Sequence, residues 1–121
     1  MIEIMKESKG KVLAAKASGK LTDEDYTEVW IPALEKAIIR FDKVNVLLYM
    51  DESFEGWELM AMWDDAKFGL QHRNDLGKVA VVGGPTWVQW GAKVGKLLVG
   101  CEVRTFEGGQ LEESLVWIAE E

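Results

Sequence analysis

Gly56-Trp-Glu-Leu-Met-Ala-Met-Trp-Asp-Asp-Ala-Lys-Phe-Gly-Leu70, Lys78-Val-Ala-Val-Val82 and Pro85-Thr-Trp-Val-Gln-Trp-Gly-Ala-Lys-Val-Gly-Lys-Leu-Leu98 together decide the fold. In the first segment Leu59, Trp63, Ala66 and Leu70 recur at helical spacing, with Met60 beside them. Trp57, Ala61 and Phe68 make a second stripe, interrupted by Asp64 and Asp65. The middle segment is short, β-branched and apolar, as a strand buried on both faces would be. Gly83-Gly84-Pro85 breaks it, and Pro85 suits the first position of a helix. The third segment carries Trp87, Trp90 and Val94 on one side, with Lys93 and Lys96 elsewhere. The reading is helix, buried strand, helix, and it holds four of the six tryptophans.

Working outward, the same alternation continues. Met1–Lys6 and Lys11–Ala17 read as strands joined by the Ser8-Lys9-Gly10 turn. Thr22 and Asp25 have a weak capping-box spacing. Behind them Tyr26, Val29, Trp30, Ala33, Leu34, Ala37, Ile38 and Phe41 form one apolar stripe. Pro32 cannot donate to the Glu28 carbonyl, so a kink or two joined segments are expected. Lys43–Met50 is a strand, Asp51–Gly56 a loop, and the helix from Gly56 follows. Cys101–Phe106 is another strand, Glu107-Gly108-Gly109 a turn. Leu111, Leu115 and Ile118, with Trp117 adjacent, mark a last helix.

The order is ββαβαβαβα. It predicts an α/β fold with a mostly parallel, mixed sheet of four to five strands and about four helices. The N-terminal hairpin places one antiparallel strand at an edge. The 121 residues make a single domain, 1–121, with room for one core without disulfide or metal staples.

Composition removes several function classes. The net charge of −7 argues against binding nucleic acid, which needs clustered Lys and Arg, although it leaves room for a local basic face. No apolar run reaches the roughly 18–20 residues of a membrane span. No signal peptide is evident at Met1–Lys6, so a cytoplasmic location is the expectation. Cys101 has no partner cysteine in the chain.

Motifs for catalysis are sparse. His72, beside Arg73 at a helix end, complements the helix dipole more simply than it ligates a metal. Cys101 opens a strand, where a thiol is usually a small apolar residue. Gly83-Gly84-Pro85 lacks both the Gly-Lys-Ser/Thr ending of a phosphate loop and the third dinucleotide-binding glycine, so a tight structural turn is expected. Asp51, Glu52, Glu55 and Glu58, with Asp64 and Asp65 further on, cluster without the spacing of a cation loop. The expectation is a non-enzymatic protein with no cofactor and no metal.

Three motifs carry a resemblance. They are Gly19-Lys-Leu-Thr-x-Glu-Asp25 leading to Pro32-Ala-Leu-Glu35, Val79-Ala-Val-Val-Gly83 before a tryptophan-rich segment, and Glu102-Val-Arg-x-Phe106 followed by Leu111-Glu-Glu-Ser-Leu-Val-Trp-Ile118. In register, they resemble the SpoIIAA-like family of small bacterial proteins, whose fold is shared with STAS and CRAL-TRIO domains. The resemblance implies a four- or five-stranded, mostly parallel sheet with about four helices. STAS domains of the anti-sigma-antagonist kind carry a phosphorylatable serine after the central strand. Here Ser53 is the hydroxyl in that region, without the Ser-Gly pattern of those domains. CRAL-TRIO relatives carry hydrophobic ligands, and SpoIIAA-like members have been proposed to open two helices around a nonpolar cavity. That implies a nonpolar small molecule or lipid as partner, with peripheral contact at the inner membrane face.

The tryptophans give the idea a magnitude. Each buries roughly 150–250 Å². Half of that exposed on four rings is about 300–500 Å², already the largest patch of a typical monomer, about 300–600 Å². Either the rings bury one another or they line something. The expected lining is Trp57, Met60, Trp63, Trp87, Trp90 and Val94. The alternative is a protein-interaction module of STAS type, using the same aromatic surface for a partner or a homodimer.

Overall fold

The computed structural model describes residues 1–41, 43–57, 76–84 and 102–120. A five-stranded sheet runs through them in the order β1-β2-β4-β6-β7. Its strands are β1 (Ile2–Ile4), β2 (Val12–Ala17), β4 (Val44–Met50), β6 (Leu76–Gly83) and β7 (Glu102–Phe106). β1 is antiparallel to β2, with Ile2 opposite Ala17 and Ile4 opposite Ala15. The other three pairings are parallel. The mixed sheet with an antiparallel edge is therefore the one the element order predicts.

β3 (Lys20–Leu21) and β5 (Gly56–Trp57) were not expected. They pair in parallel as a second, two-stranded sheet, Leu21 opposite Trp57. The sequence reading has a break at Ser18-Gly19-Lys20 and a helix starting at Gly56. Gly56 instead takes φ 117°, a backbone no helix contains. The two helices expected from 56–70 and 85–98 fall otherwise outside the described residues.

Among the described residues there are two α-helices, α1 (Ile31–Phe41) and α2 (Leu111–Ala119). A π-helical turn, Asp25–Trp30, leads into α1. Thr22 and Asp25 close its start reciprocally. The Thr22 amide donates to Asp25 Oδ2 at 2.9 Å, and the Asp25 amide donates to Thr22 Oγ1 at 3.2 Å. At its far end the Ile31 amide reaches back five residues to the Tyr26 carbonyl. The helical path thus changes pitch one residue before Pro32, where the sequence predicts a join. The wider turn also rotates Val29 out of the expected stripe. Val29 is exposed, as is Phe41 at the frayed end, while Tyr26, Trp30 and Leu34 are buried.

Each face of the sheet has its own core, as period-two alternation requires. Leu13, Ala15, Ala17, Val44, Val46, Met50 and Val81 point to the side of Tyr26, Trp30 and Leu34. Ala14, Leu47, Ala80, Val82 and Phe106 point to the side of Trp117 and Ile118. β4 is buried or half-buried along its whole length, which explains its nearly continuous apolar sequence.

A buried polar side chain on the α2 face of the sheet joins three elements. Asn45 is 6% exposed. Its Oδ1 accepts from the Lys78 amide at 3.0 Å, and its Nδ2 donates to the Ile118 carbonyl at 3.1 Å. The β4–β6 register shifts between Val44 and Val46, so the side chain supplies a ladder bond the bulge removes. Gly77 leaves the space: a Cβ there would lie 2.6 Å from Asn45 Oδ1. Lys78 then caps α2, its Nζ donating to the carbonyls of Trp117 at 3.2 Å and Glu120 at 3.0 Å.

Candidate functional site

The described residues fix where the two tryptophan-rich stretches begin. Both set out from the carboxyl end of the sheet, the edge where open α/β sheets usually bind ligands. Met50 ends β4 and is in register with Gly83, which ends β6. The approach is close: a Cβ on Gly83 would lie 2.5 Å from the Met50 carbonyl oxygen, and one on Gly84 would lie 3.3 Å from Met50 Sδ. Both glycines have positive φ, 76° and 77°. Both positions thus need glycine; Pro85, the third residue of the expected turn, lies outside the described residues.

The route from β4 to Trp57 is pinned by hydrogen bonds. The Gly19 amide donates to the Ser53 carbonyl at 3.1 Å, and the Glu55 amide donates to the Gly19 carbonyl at 2.7 Å. The Asp51 amide donates to the Ala17 carbonyl at 3.1 Å. β3 and β5 complete this strap, and the Trp57 backbone is fixed by its pairing with Leu21. Of the expected lining residues, Trp57 is placed by its backbone only. Met60, Trp63, Trp87, Trp90 and Val94 lie outside the described residues.

The acidic loop has structural partners. Asp51 Oδ1 accepts from the Ser53 amide at 2.9 Å and from the Ser53 hydroxyl at 2.7 Å. Its Oδ2 lies 4.0 Å from Lys16 Nζ. Ser53 Oγ also accepts from the Gly19 amide at 3.2 Å, so this exposed hydroxyl helps hold the strap. Glu52 and Glu55 are exposed. Glu58, Asp64, Asp65, His72 and Cys101 lie outside the described residues. Among the described residues no three His, Cys, Asp or Glu side chains converge as metal ligands would. Among them, too, no helix is long and apolar enough to cross a membrane.

Two of the six tryptophans are accounted for as core. Trp30 is 5% exposed on one face of the sheet and Trp117 is 9% exposed on the other. Trp117 lies 5.9 Å from the Phe106 ring, between Lys78 Nζ at 5.0 Å and the Arg104 guanidinium at 5.8 Å. Neither the role of Asn45 nor the β3–β5 strap is announced by local sequence. Asn45 was legible only as a polar residue in an apolar strand. For the strap the one available signal was glycine at both Gly19 and Gly56.

A mixed five-stranded sheet with α1 on one face and α2 on the other defines a small α/β domain of the SpoIIAA/STAS kind. The model of the SpoIIAA-like family matches residues 12–119, and the chain belongs to that family. Among solved structures it is similar to an uncharacterized protein of the DUF3478 family with a SpoIIAA-like fold, from Shewanella loihica PV-4, a crystal structure at 2.25 Å resolution. The two are 32% identical, with a TM-score of 0.78, over 98% of this chain and 94% of that one. A search of the curated proteins finds no match. Family and fold support a small domain of the non-enzymatic, regulatory type.

Proposed function

We propose that this domain binds a nonpolar small molecule between its two tryptophan-rich stretches, lined by Trp57, Met60, Trp63, Trp87, Trp90 and Val94. One observation carries the reading. The two core clusters take up Trp30 and Trp117, and the other four tryptophans all fall in these two stretches. Apolar concavities with few polar groups are the usual form of small-molecule sites. The starting points agree, since both stretches leave from adjoining strand ends at the carboxyl edge. The sheet grows in one direction from β2 to β7.

The activity is non-enzymatic in this reading, with no cofactor and no metal, in the cytoplasm. Contact with an anionic membrane is secondary. Lys93 and Lys96 favour it, but Glu55, Glu58, Asp64 and Asp65 oppose it.

The test is tryptophan fluorescence during titration with fatty acids or an apolar dye, with light scattering for mass. A saturable change on a constant monomer supports the pocket, and Trp63→Ala and Trp90→Ala should abolish it. No response together with a stable dimer would sink the carrier reading in favour of an interaction module of STAS type. Unchanged binding in both variants would reject the lining residues.

A further inference from the structure

The net charge of −7 hides an uneven distribution. Asp23, Glu24, Asp25 and Glu28 follow β3, and Asp51, Glu52 and Glu55 follow β4. The strap that ties Gly19 to Ser53 and Glu55 gathers these seven carboxylates at the carboxyl end of the sheet. The opposite end is different. The β1–β2 turn presents Lys6, Lys9 and Lys11, all exposed, around Gly10 at φ 58°. The Asn45 amide donates to the Lys11 carbonyl at 2.8 Å, which sets this turn beside the exposed Lys43. Arg40 ends α1 just before it. Glu7 is the opposing charge within the turn, and Asp42 adjoins Lys43 in sequence. Glu102 at the start of β7 and Glu120 after α2 are also at this end, but beside Lys78 on β6 and β7, two and three strands across from β2. None of the four lysines forms an ion pair with a described residue.

We infer that this basic turn docks a short acidic segment of another protein. The two ends of the sheet are separated by the length of β2, six residues or about 20 Å. The Debye length at physiological salt is about 8 Å, so the distant carboxylates are largely screened from the turn. A partner there meets the local positive charge rather than the net negative one. The same distribution selects the kind of partner. An extended polyanion, such as a nucleic acid or an anionic membrane, reaches past the turn and meets the acidic remainder. An acidic run of two or three residues spans about 7–10 Å, close to one screening length. No ion pair with a described residue has to be broken first, which suits these lysines to the use. This inference is independent of the nonpolar site.

The experiment is fluorescence anisotropy of a labelled triglutamate peptide with the whole protein, at 50 and 200 mM salt. Binding at 50 mM that weakens at least tenfold by 200 mM is expected. K6E/K9E/K11E should lose at least tenfold in affinity, while the control K20E/K36E, placed elsewhere, stays within twofold. Circular dichroism checks that each variant is folded, and K6Q/K9Q/K11Q replaces the reversal if it is not. Absence of binding at 50 mM salt, or equal binding by the turn variant, overturns the inference. Tighter binding of single-stranded DNA or phosphatidylserine vesicles than of the peptide overturns the choice of partner.

Discussion

Asn45 and Gly77 should behave as one unit, and a double-mutant cycle can show it. Asn45→Ala removes the acceptor for the Lys78 amide and the donor for the Ile118 carbonyl. Leaving a buried polar group unpaired costs about 1–3 kcal/mol, so the pair of losses amounts to about 2–6 kcal/mol. With an m-value of about 1.5 kcal/mol/M in urea, a 3 kcal/mol loss moves the unfolding midpoint by about 2 M. Gly77→Ala acts differently. Its φ lies outside the left-handed region, so alanine is acceptable to the backbone. The new Cβ, however, meets Asn45 Oδ1 at 2.6 Å. That oxygen is held by its bond to Lys78, so the overpacking costs about 1–3 kcal/mol. In the Asn45→Ala background the obstacle is gone. The double variant should therefore be less destabilised than the sum of the singles, by at least about 1 kcal/mol. Urea melts followed by far-UV circular dichroism measure all four corners. Additivity within about 0.5 kcal/mol would refute the argument that Gly77 exists to seat the asparagine.

Three further outcomes follow from contacts described above. Gly83→Ala combines a positive φ with a Cβ 2.5 Å from a backbone oxygen, so it should cost more than Gly77→Ala; equal midpoints in urea would contradict this. Thr22→Ala opens the reciprocal cap with Asp25 and should lose about 1 kcal/mol, read as a lower thermal midpoint. Lys78→Met keeps the aliphatic stem but removes both carbonyl contacts at the end of α2. A loss of about 1 kcal/mol is expected, shrinking as salt is raised; a salt-independent loss would point to packing instead.

The sheet was legible in the sequence because period-two burial and β-branched runs coincide in β4 and β6. Leu47 and Val82 face one layer, Val46 and Val81 the other, and both layers want apolar residues. The first helix was legible too, down to a change at Pro32, because a missing amide has a definite consequence. What the sequence concealed depends on contacts between distant residues. Lys20-Leu21 and Gly56-Trp57 are too short to show a pattern and become strands only by meeting each other. Val29 sits on the expected stripe in an α-helix and off it in a π turn, and no local propensity announces that turn. The candidate site was legible as composition, four tryptophans and a methionine-rich segment, and of its lining the structure adds where the Trp57 backbone begins. It also adds what composition cannot give, the Ser53–Asp51–Gly19 hydrogen bonds that tie the start of the first stretch to β3.

The π turn at Asp25–Trp30 has a consequence for how this chain can change in length. A wide turn is an α-helix holding one residue more than it needs. Its outer positions, Thr27 and Glu28, are exposed, while Tyr26 and Trp30 stay anchored in the core. The segment is thus a place where a single codon can be lost with the surplus absorbed locally. Relatives one residue shorter between Asp25 and Pro32 would then keep the same sheet, with a continuous helix in place of the turn.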